Sequence, residues 1–151
     1  MKLTIIYYSR TGHNEAMAKA VQEGALGAGA EVNLKKAKEA TSNDILNCDA
    51  VVFGSPNYFS YMAGAMQMVL EDVFVNLKDE EVTKLFAVFS CGGSMGGKPV
   101  ITVIEETCGH FGGKFGKFKF KKAAEGVSAT EKPSTENLEQ CRELGRKIAS
   151  L

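Results

Sequence analysis

The sequence predicts an α/β protein, a three-layer sandwich in which helices cover both faces of a mostly parallel sheet. Two observations carry that prediction. The apolar runs Leu3 to Tyr8, Asp49 to Gly54 and Lys84 to Ser90 lack the alternation of a half-wetted strand, as expected of strands covered on both sides. Each run passes through a short loop of glycine, serine and asparagine into a segment of helical period, and parallel strands need such crossovers.

Taken in order, Leu3 to Tyr8 is the first strand and Ser9-Arg10-Thr11-Gly12-His13-Asn14 its loop. The following helix shows apolar or small residues at 17, 20, 21 and 24, the three-and-four spacing of one buried face. Asn14 is expected as its N-cap, and the helix ends between Gly24 and Gly29. Glu31 to Leu34 reads as a short strand, and Thr41-Ser42-Asn43 caps a short helix through Leu46. Asp49 to Gly54 is the third strand, followed by the loop Ser55-Pro56-Asn57-Tyr58-Phe59-Ser60-Tyr61 and a Met-rich helix over about 62–77.

Lys84 to Ser90 is the fourth strand. The loop Cys91-Gly92-Gly93-Ser94-Met95-Gly96-Gly97 leads from it into a helix with Pro99 in its first turn. Lys117 to Lys121 alternates strictly between lysine and phenylalanine, the mark of an edge strand with one packed face and one wet one. The last helix begins near Ser134, with Leu138, Cys141, Leu144 or Gly145, Ile148 and Leu151 as its apolar stripe.

Composition removes several classes of function. The 151 residues suit one domain with its own core. Eighteen basic residues balance eighteen acidic ones, so no overall field recruits nucleic acid or an anionic membrane. No apolar run reaches the length of a membrane span, and no basic segment with an apolar follow-on opens the chain. The expected location is therefore the cytoplasm. Cys48, Cys91, Cys108 and Cys141 show no metal-ligand spacing and are expected as reduced core thiols.

The three loops all leave carboxyl ends of strands, where a doubly wound sheet binds its ligands. The first offers backbone amides at a helix start, the side chains of Ser9, Thr11 and Asn14, and positive charge from Arg10 or His13. Such a place suits a phosphate, each contact there being worth about 0.3 to 1 kcal/mol. An ordinary capped turn with Arg10 in solvent is the alternative. The second loop sets Tyr58, Phe59 and Tyr61 within four residues, aromatic surface for a flat heterocycle, although Phe59 or Met62 is expected to turn into the core. The third loop is nearly free of side chains, as needed where backbone approaches a ligand edge.

Two false motifs lie in that third loop. Gly92 to Lys98 reads G-x-x-x-x-G-K, but Pro99 stands where a magnesium-holding hydroxyl is required. Gly92 to Gly96 also matches G-x-S-x-G, yet His110, the only later histidine, comes too early for the nucleophile–acid–base order.

Residues 9–14 resemble the T/S-x-T-G-x-T phosphate loop of flavodoxins. With Tyr7-Tyr8 and Glu15-Ala16-Met17-Ala18 they are similar to the tryptophan-repressor-binding-protein-like NAD(P)H:quinone oxidoreductases. Gly54-Ser55-Pro56 through Phe59, with Met62, Ala63 and Gly64, is similar to the isoalloxazine loop of that second group. The resemblance implies one flavodoxin-like domain over 1–151 with a five-stranded parallel sheet of order 2-1-3-4-5, and FMN as cofactor. It places the FMN phosphate on Ser9, Arg10, Thr11, Gly12, His13 and Asn14. The ring falls between Pro56, Asn57, Tyr58 and Phe59 on one side and Ser90, Cys91, Gly92, Gly93 and Gly96 on the other. Asn14 departs from the family's threonine, and the insertions of the quinone reductases are absent.

The partner is then either a redox protein, for an electron carrier, or NAD(P)H and a small acceptor such as a quinone, for a reductase; a flavin-free interaction domain is a third class. No acid lies between Ala50 and Leu70 or between Leu85 and Ile104. A flavin there is expected to be easier to reduce than in a low-potential flavodoxin, since a unit charge about 10 Å away acts with roughly 1.5 kcal/mol at an effective dielectric near 20. Lysines 114, 117, 119, 121 and 122 serve either as edge protection or as a dock for an acidic redox partner or a nicotinamide phosphate. No residue is assigned a catalytic role, because the cofactor carries the chemistry.

Overall fold

A computed structural model describes all 151 residues. Strands β1 (Lys2–Tyr7), β2 (Glu31–Lys36), β3 (Ala50–Gly54), β4 (Thr83–Gly92), β5 (Lys119–Lys122) and β6 (Val127–Thr130) form one parallel sheet. Its order is β2-β1-β3-β4-β5, with β6 also paired to β4. β5 lies along Thr83 to Phe86 and β6 along Phe89 to Gly92. The two are halves of one edge strand, interrupted at residues 123–126. The expected order holds, and the second half of the edge strand, four residues of mixed Val, Ser, Ala and Thr, is an addition that alternation did not reveal.

Helices α1 (His13–Gly27) and α5 (Thr135–Ala149) cover one face, while α2 (Ser42–Leu46), α3 (Gly64–Leu77) and α4 (Lys98–Gly109) belong to the other. Two cores follow from these layers. One packs Ile5, Val52, Ala87 and Phe89 against Met17, Val21, Leu144 and Ile148; the other packs Ile6, Val51, Phe53 and Val88 against Met66, Leu70, Val100 and Ile104. The central strands present side chains to both, which is why they read as continuous apolar runs.

Several elements stand as the local chemistry requires. Thr41 and Asp44 close a capping box at α2, and Ser134 with Asn137 does the same at α5. Phe118 is buried and Phe120 half-buried in a T-shaped aromatic cluster with Phe86 and Phe111, while Lys119 and Lys121 face water.

Two expectations are corrected. The cap of α1 is Gly12, in the left-handed region at φ 93°, and Asn14 sits inside the first turn; a glycine takes that conformation without a Cβ penalty. Leu151 lies beyond α5 and is exposed. The aromatic loop keeps Met62 in the core, as expected of one of the two, but Phe59 is wholly in solvent. The four cysteines are buried and unpaired. Burial pushes the thiol of Cys141 up to about 12 and raises that of Cys91 as well.

Candidate functional site

Chain direction across the sheet reverses between β1 and β3, so the loops after those strands diverge and leave a crevice. There a cleft of about 740 Å³ is lined by residues of four segments: 10–14, 56–58, 91–94 and 131–132. Its size is that of a small-molecule or cofactor site.

The loop between β1 and α1 is built by its own backbone. Ser9 Oγ accepts from Gly12 N at 3.1 Å, which folds the loop back on itself. None of the backbone N–H groups of Arg10, Thr11, His13, Asn14 or Glu15 donates to an acceptor within the chain. These are the orphan donors of a helix start, carrying roughly half a unit of positive charge. Arg10 and Thr11 are exposed and His13 is half-exposed.

The Asn14 side chain does something the sequence did not announce. It is buried, its Nδ2 donates to the Cys91 carbonyl at 3.2 Å, and its Oδ1 accepts from Cys91 N at 2.9 Å. That two-bond pair ties the first turn of α1 to the end of β4. Its oxygen and one of its two amide hydrogens are thereby engaged within the chain.

Neighbouring loops are joined in the same way. Ser90 Oγ donates to the Ser55 carbonyl at 2.6 Å, and Ser55 Oγ accepts from Ala63 N at 2.9 Å. Asn57 Nδ2 donates to the Gly96 carbonyl at 2.9 Å, while its Oδ1 accepts from Ser60 N at 2.8 Å. Glu131 N donates to the Gly92 carbonyl at 2.7 Å, and Ser128 Oγ accepts from Gly97 N at 3.1 Å. The third loop thus has its frame fixed from both sides, and the N–H groups of Gly93, Ser94 and Met95 find no acceptor in the chain.

Tyr58 lines the cleft, braced edge-on by Tyr8 with ring centroids 6.4 Å apart, and burial raises its phenol above the ordinary value. Tyr58 and Tyr61 exchange backbone bonds of 2.8 and 2.9 Å around a two-residue turn, Phe59 at φ 55° and Ser60 at φ 64°. Positive φ at both central residues is the hairpin geometry that glycine and asparagine favour, so Phe59 and Ser60 each hold strain of order 1 to 3 kcal/mol.

Of the residues singled out in the sequence, Arg10, Thr11, His13, Asn14, Pro56, Asn57, Tyr58, Cys91, Gly92 and Gly93 line this cleft. Ser9, Gly12, Ser90 and Gly96 shape it from behind, and Phe59 stands outside it. Sequence reasoning missed Ser94, Glu131 and Lys132. The pair at 131–132 follows β6, which sequence patterning had not revealed, and its signal was the polar turn before Pro133. Glu131 brings one carboxylate to the cleft from outside the two acid-free stretches at 50–70 and 85–104. The lysines of β5 pair alongside the beginning of β4, at the opposite end from the cleft, and Lys122 is held by Glu105 and Glu125.

The residues present fit FMN. A row of unpaired amides and Arg10 suits a phosphate, the bare backbone of Gly93 and Ser94 suits a polar ring edge, and Tyr58 offers an aromatic surface.

Comparison with known proteins agrees. A family model described as Flavodoxin matches residues 5–145. A flavodoxin of Aquifex aeolicus (strain VF5) is 35% identical over 162 aligned positions, covering 98% of this chain and 85% of that protein. An NAD(P)H dehydrogenase (quinone) 3 of Rhizobium meliloti (strain 1021) is 34% identical over 124 positions, covering 68% of this chain but 58% of that longer protein. Among solved structures, a flavodoxin from the domain Archaea aligns with a TM-score of 0.80 at 21% identity, over 99% of this chain and 97% of that one. The rubredoxin oxygen:oxidoreductase of Desulfovibrio gigas aligns with a TM-score of 0.83 at 23% identity, over 99% of this chain and 35% of that one.

Proposed function

The chain belongs to the flavodoxin family of FMN-binding electron-transfer proteins, and from that premise we propose that it carries electrons between redox proteins through FMN seated in the cleft at the carboxyl end of the sheet. The observation that supports this seat is the convergence of four segments on one cleft whose unpaired amides cluster at residues 10–15. In this reading Thr11, Arg10 and the first amides of α1 hold the phosphate. The N–H groups of Gly93 and Ser94 meet the polar edge of the ring, and Tyr58 covers one of its faces. FMN supplies the electron store, and the chain supplies orientation, exclusion of water and local charge. No helix is both long and apolar enough to cross a membrane. The four unpaired thiols support a reducing compartment such as the cytoplasm.

A second reading, direct reduction by NAD(P)H, is favoured by the Rhizobium meliloti relative. One pair of measurements separates the two. The purified protein should be yellow, and its FMN-free form should regain the visible spectrum on titration with FMN. Anaerobic mixing with NADPH or NADH should leave that colour unbleached over seconds for a carrier, whereas rapid bleaching establishes the reductase. A protein that gains no visible spectrum from FMN would refute both.

Glu131 gives a further expectation. Its backbone is bonded to Gly92 and it lies on the cleft wall, so its carboxylate opposes added negative charge on a bound ring. At about 10 Å and an effective dielectric near 20 that opposition is roughly 1.5 kcal/mol, or about 60 mV for a one-electron step. Glu131→Gln should therefore raise the reduction potential by up to about 60 mV. A potentiometric titration showing no change, or a more negative value, would place the carboxylate away from the ring.

A further inference from the structure

Helix α3 is apolar almost all round, yet it lies at the surface. Met66, Val69, Leu70, Val73 and Leu77 pack into the core they share with Phe53 and Val88. Met68, Phe74 and Val75 are left over, exposed by 64%, 37% and 61%, and Glu71 and Asp72 are the only charges between Gly64 and Leu77. A surface helix normally carries polar residues on its outer side, so this one presents apolar surface that a single chain leaves uncovered. Beside it a groove of about 490 Å³ runs between α3 and the end of α4, walled by Leu70, Phe74, Phe111 and the exposed Phe115.

The outward stripe of α3 is ordered along its length. Helical spacing sets Glu71, Phe74, Val75 and Lys78 on one side, with the two apolar residues in the middle and opposite charges at the ends. Glu71 and Lys78 are both exposed, and neither is in an ion pair within the chain. Lys78 Nζ lies 5.7 Å from the centroid of the Phe74 ring instead.

The surrounding charges do not select a partner by net sign. Lys117 N donates to the Lys78 carbonyl at 2.6 Å, Lys114 precedes Phe115, and Asp79, Glu80 and Glu81 follow Lys78, all of them exposed. With Glu71 and Asp72, carboxylates and ammonium groups are thus interspersed along this face. Their order is what carries information.

We propose that this face pairs with a second copy of the chain, the two α3 helices running antiparallel about a two-fold axis beside Phe74 and Val75. Glu71 and Lys78 lie equally far from the midpoint of residues 74 and 75, so each Glu71 then stands opposite the Lys78 of the other copy. The two apolar residues meet their own counterparts at the axis, next to the groove. A parallel pairing would set Glu71 against Glu71, so the charges fix the sense of an isologous contact whose apolar centre supplies the attraction. The stripe occupies the half of α3 that leads toward the start of β4, and none of its residues lines the cleft. Both clefts therefore stay open in the pair.

Sedimentation equilibrium between about 1 and about 500 μM protein should show a mass rising from one chain toward two, with FMN and without it alike. Val75→Ser should raise the midpoint concentration of association at least about tenfold, with an unchanged circular dichroism spectrum as the check on folding. Glu71→Lys and Lys78→Glu should each weaken association in the same direction, because each sets like charges opposite one another. Mixed in equal amounts, these two variants regain opposite charges at both contacts, and the midpoint should return to within about threefold of the parent's. A protein that stays a single chain up to about 500 μM would overturn the proposal and leave the face to a foreign partner. A dimer indifferent to both charge reversals, or a mixture no better than its parts, would overturn it as well. No readout depends on the cofactor, so failure here leaves the electron-transfer reading standing.

Discussion

Gly24→Ala is expected to lower the stability of the folded chain by about 3 kcal/mol, a large share of the 5 to 15 kcal/mol typical of a domain. Gly24 of α1 and Gly145 of α5 mark where the two helices cross. A Cβ on Gly24 would overlap the Arg142 carbonyl, and one on Gly145 would overlap the carbonyl of Val21. Both obstacles are helix backbone, so relief requires the helices to separate and Met17, Val21, Leu144 and Ile148 to lose contact. Alanine is a better helix former than glycine by about 1 kcal/mol, which offsets part of the loss without reversing it. Gly27 is the control. It lies on the same helix, and a Cβ there would meet nothing within 4 Å, so Gly27→Ala should be neutral or stabilising by up to about 1 kcal/mol. Urea unfolding at saturating FMN reads the difference as a midpoint shift of about 1.5 M at a slope near 2 kcal/mol per molar. Equal midpoints for the two variants would mean that α1 and α5 do not meet at this crossing.

The same residues show what a sequence makes readable. The small position at 24 fell on the buried face by spacing alone, because burial on a helix is a periodic property. That Gly24 meets the backbone of Arg142, and Gly145 that of Val21, is a long-range fact, and no local pattern records which glycine approaches which helix. The doubly wound sheet was readable for the first reason: covered parallel strands are apolar throughout, and Ile5, Val52 and Val88 report it directly. The cleft was readable in part because the carboxyl ends of β1, β3 and β4 each run into a conspicuous loop.

Its fourth wall was not, since Val127–Thr130 is a strand only by virtue of β4 beside it, and four residues of modest β-propensity carry little signal on their own. Hence Glu131 and the negative charge it adds to the cleft wall went unread. Which of Phe59 and Met62 turns inward was unreadable for a different reason: the Tyr58–Tyr61 bridge, with Asn57 beneath it, fixes the turn outward and leaves Met62 alone in the core.

Asn14 and Thr11, which sit together in the sequence motif, should separate in experiment. Asn14→Leu leaves the N–H and carbonyl of Cys91 buried without partners, at a cost of about 1 to 3 kcal/mol for each orphaned group. The loop between β1 and α1 then loses its tie to the end of β4, and the damage falls on the whole cleft. Affinity for FMN and for riboflavin should drop together by at least tenfold, with a matching fall in the stability of the FMN-free protein. Thr11→Val removes one exposed hydroxyl and no buried bond. It should weaken FMN about fivefold, the worth of one hydrogen bond near 1 kcal/mol, and leave riboflavin binding and stability as they were. Isothermal titration with the two flavins measures all four affinities. If Asn14→Leu weakened FMN alone, its carboxamide would have to turn from Cys91 to the phosphate, and the bond pair between α1 and β4 would not be what holds the phosphate loop in place.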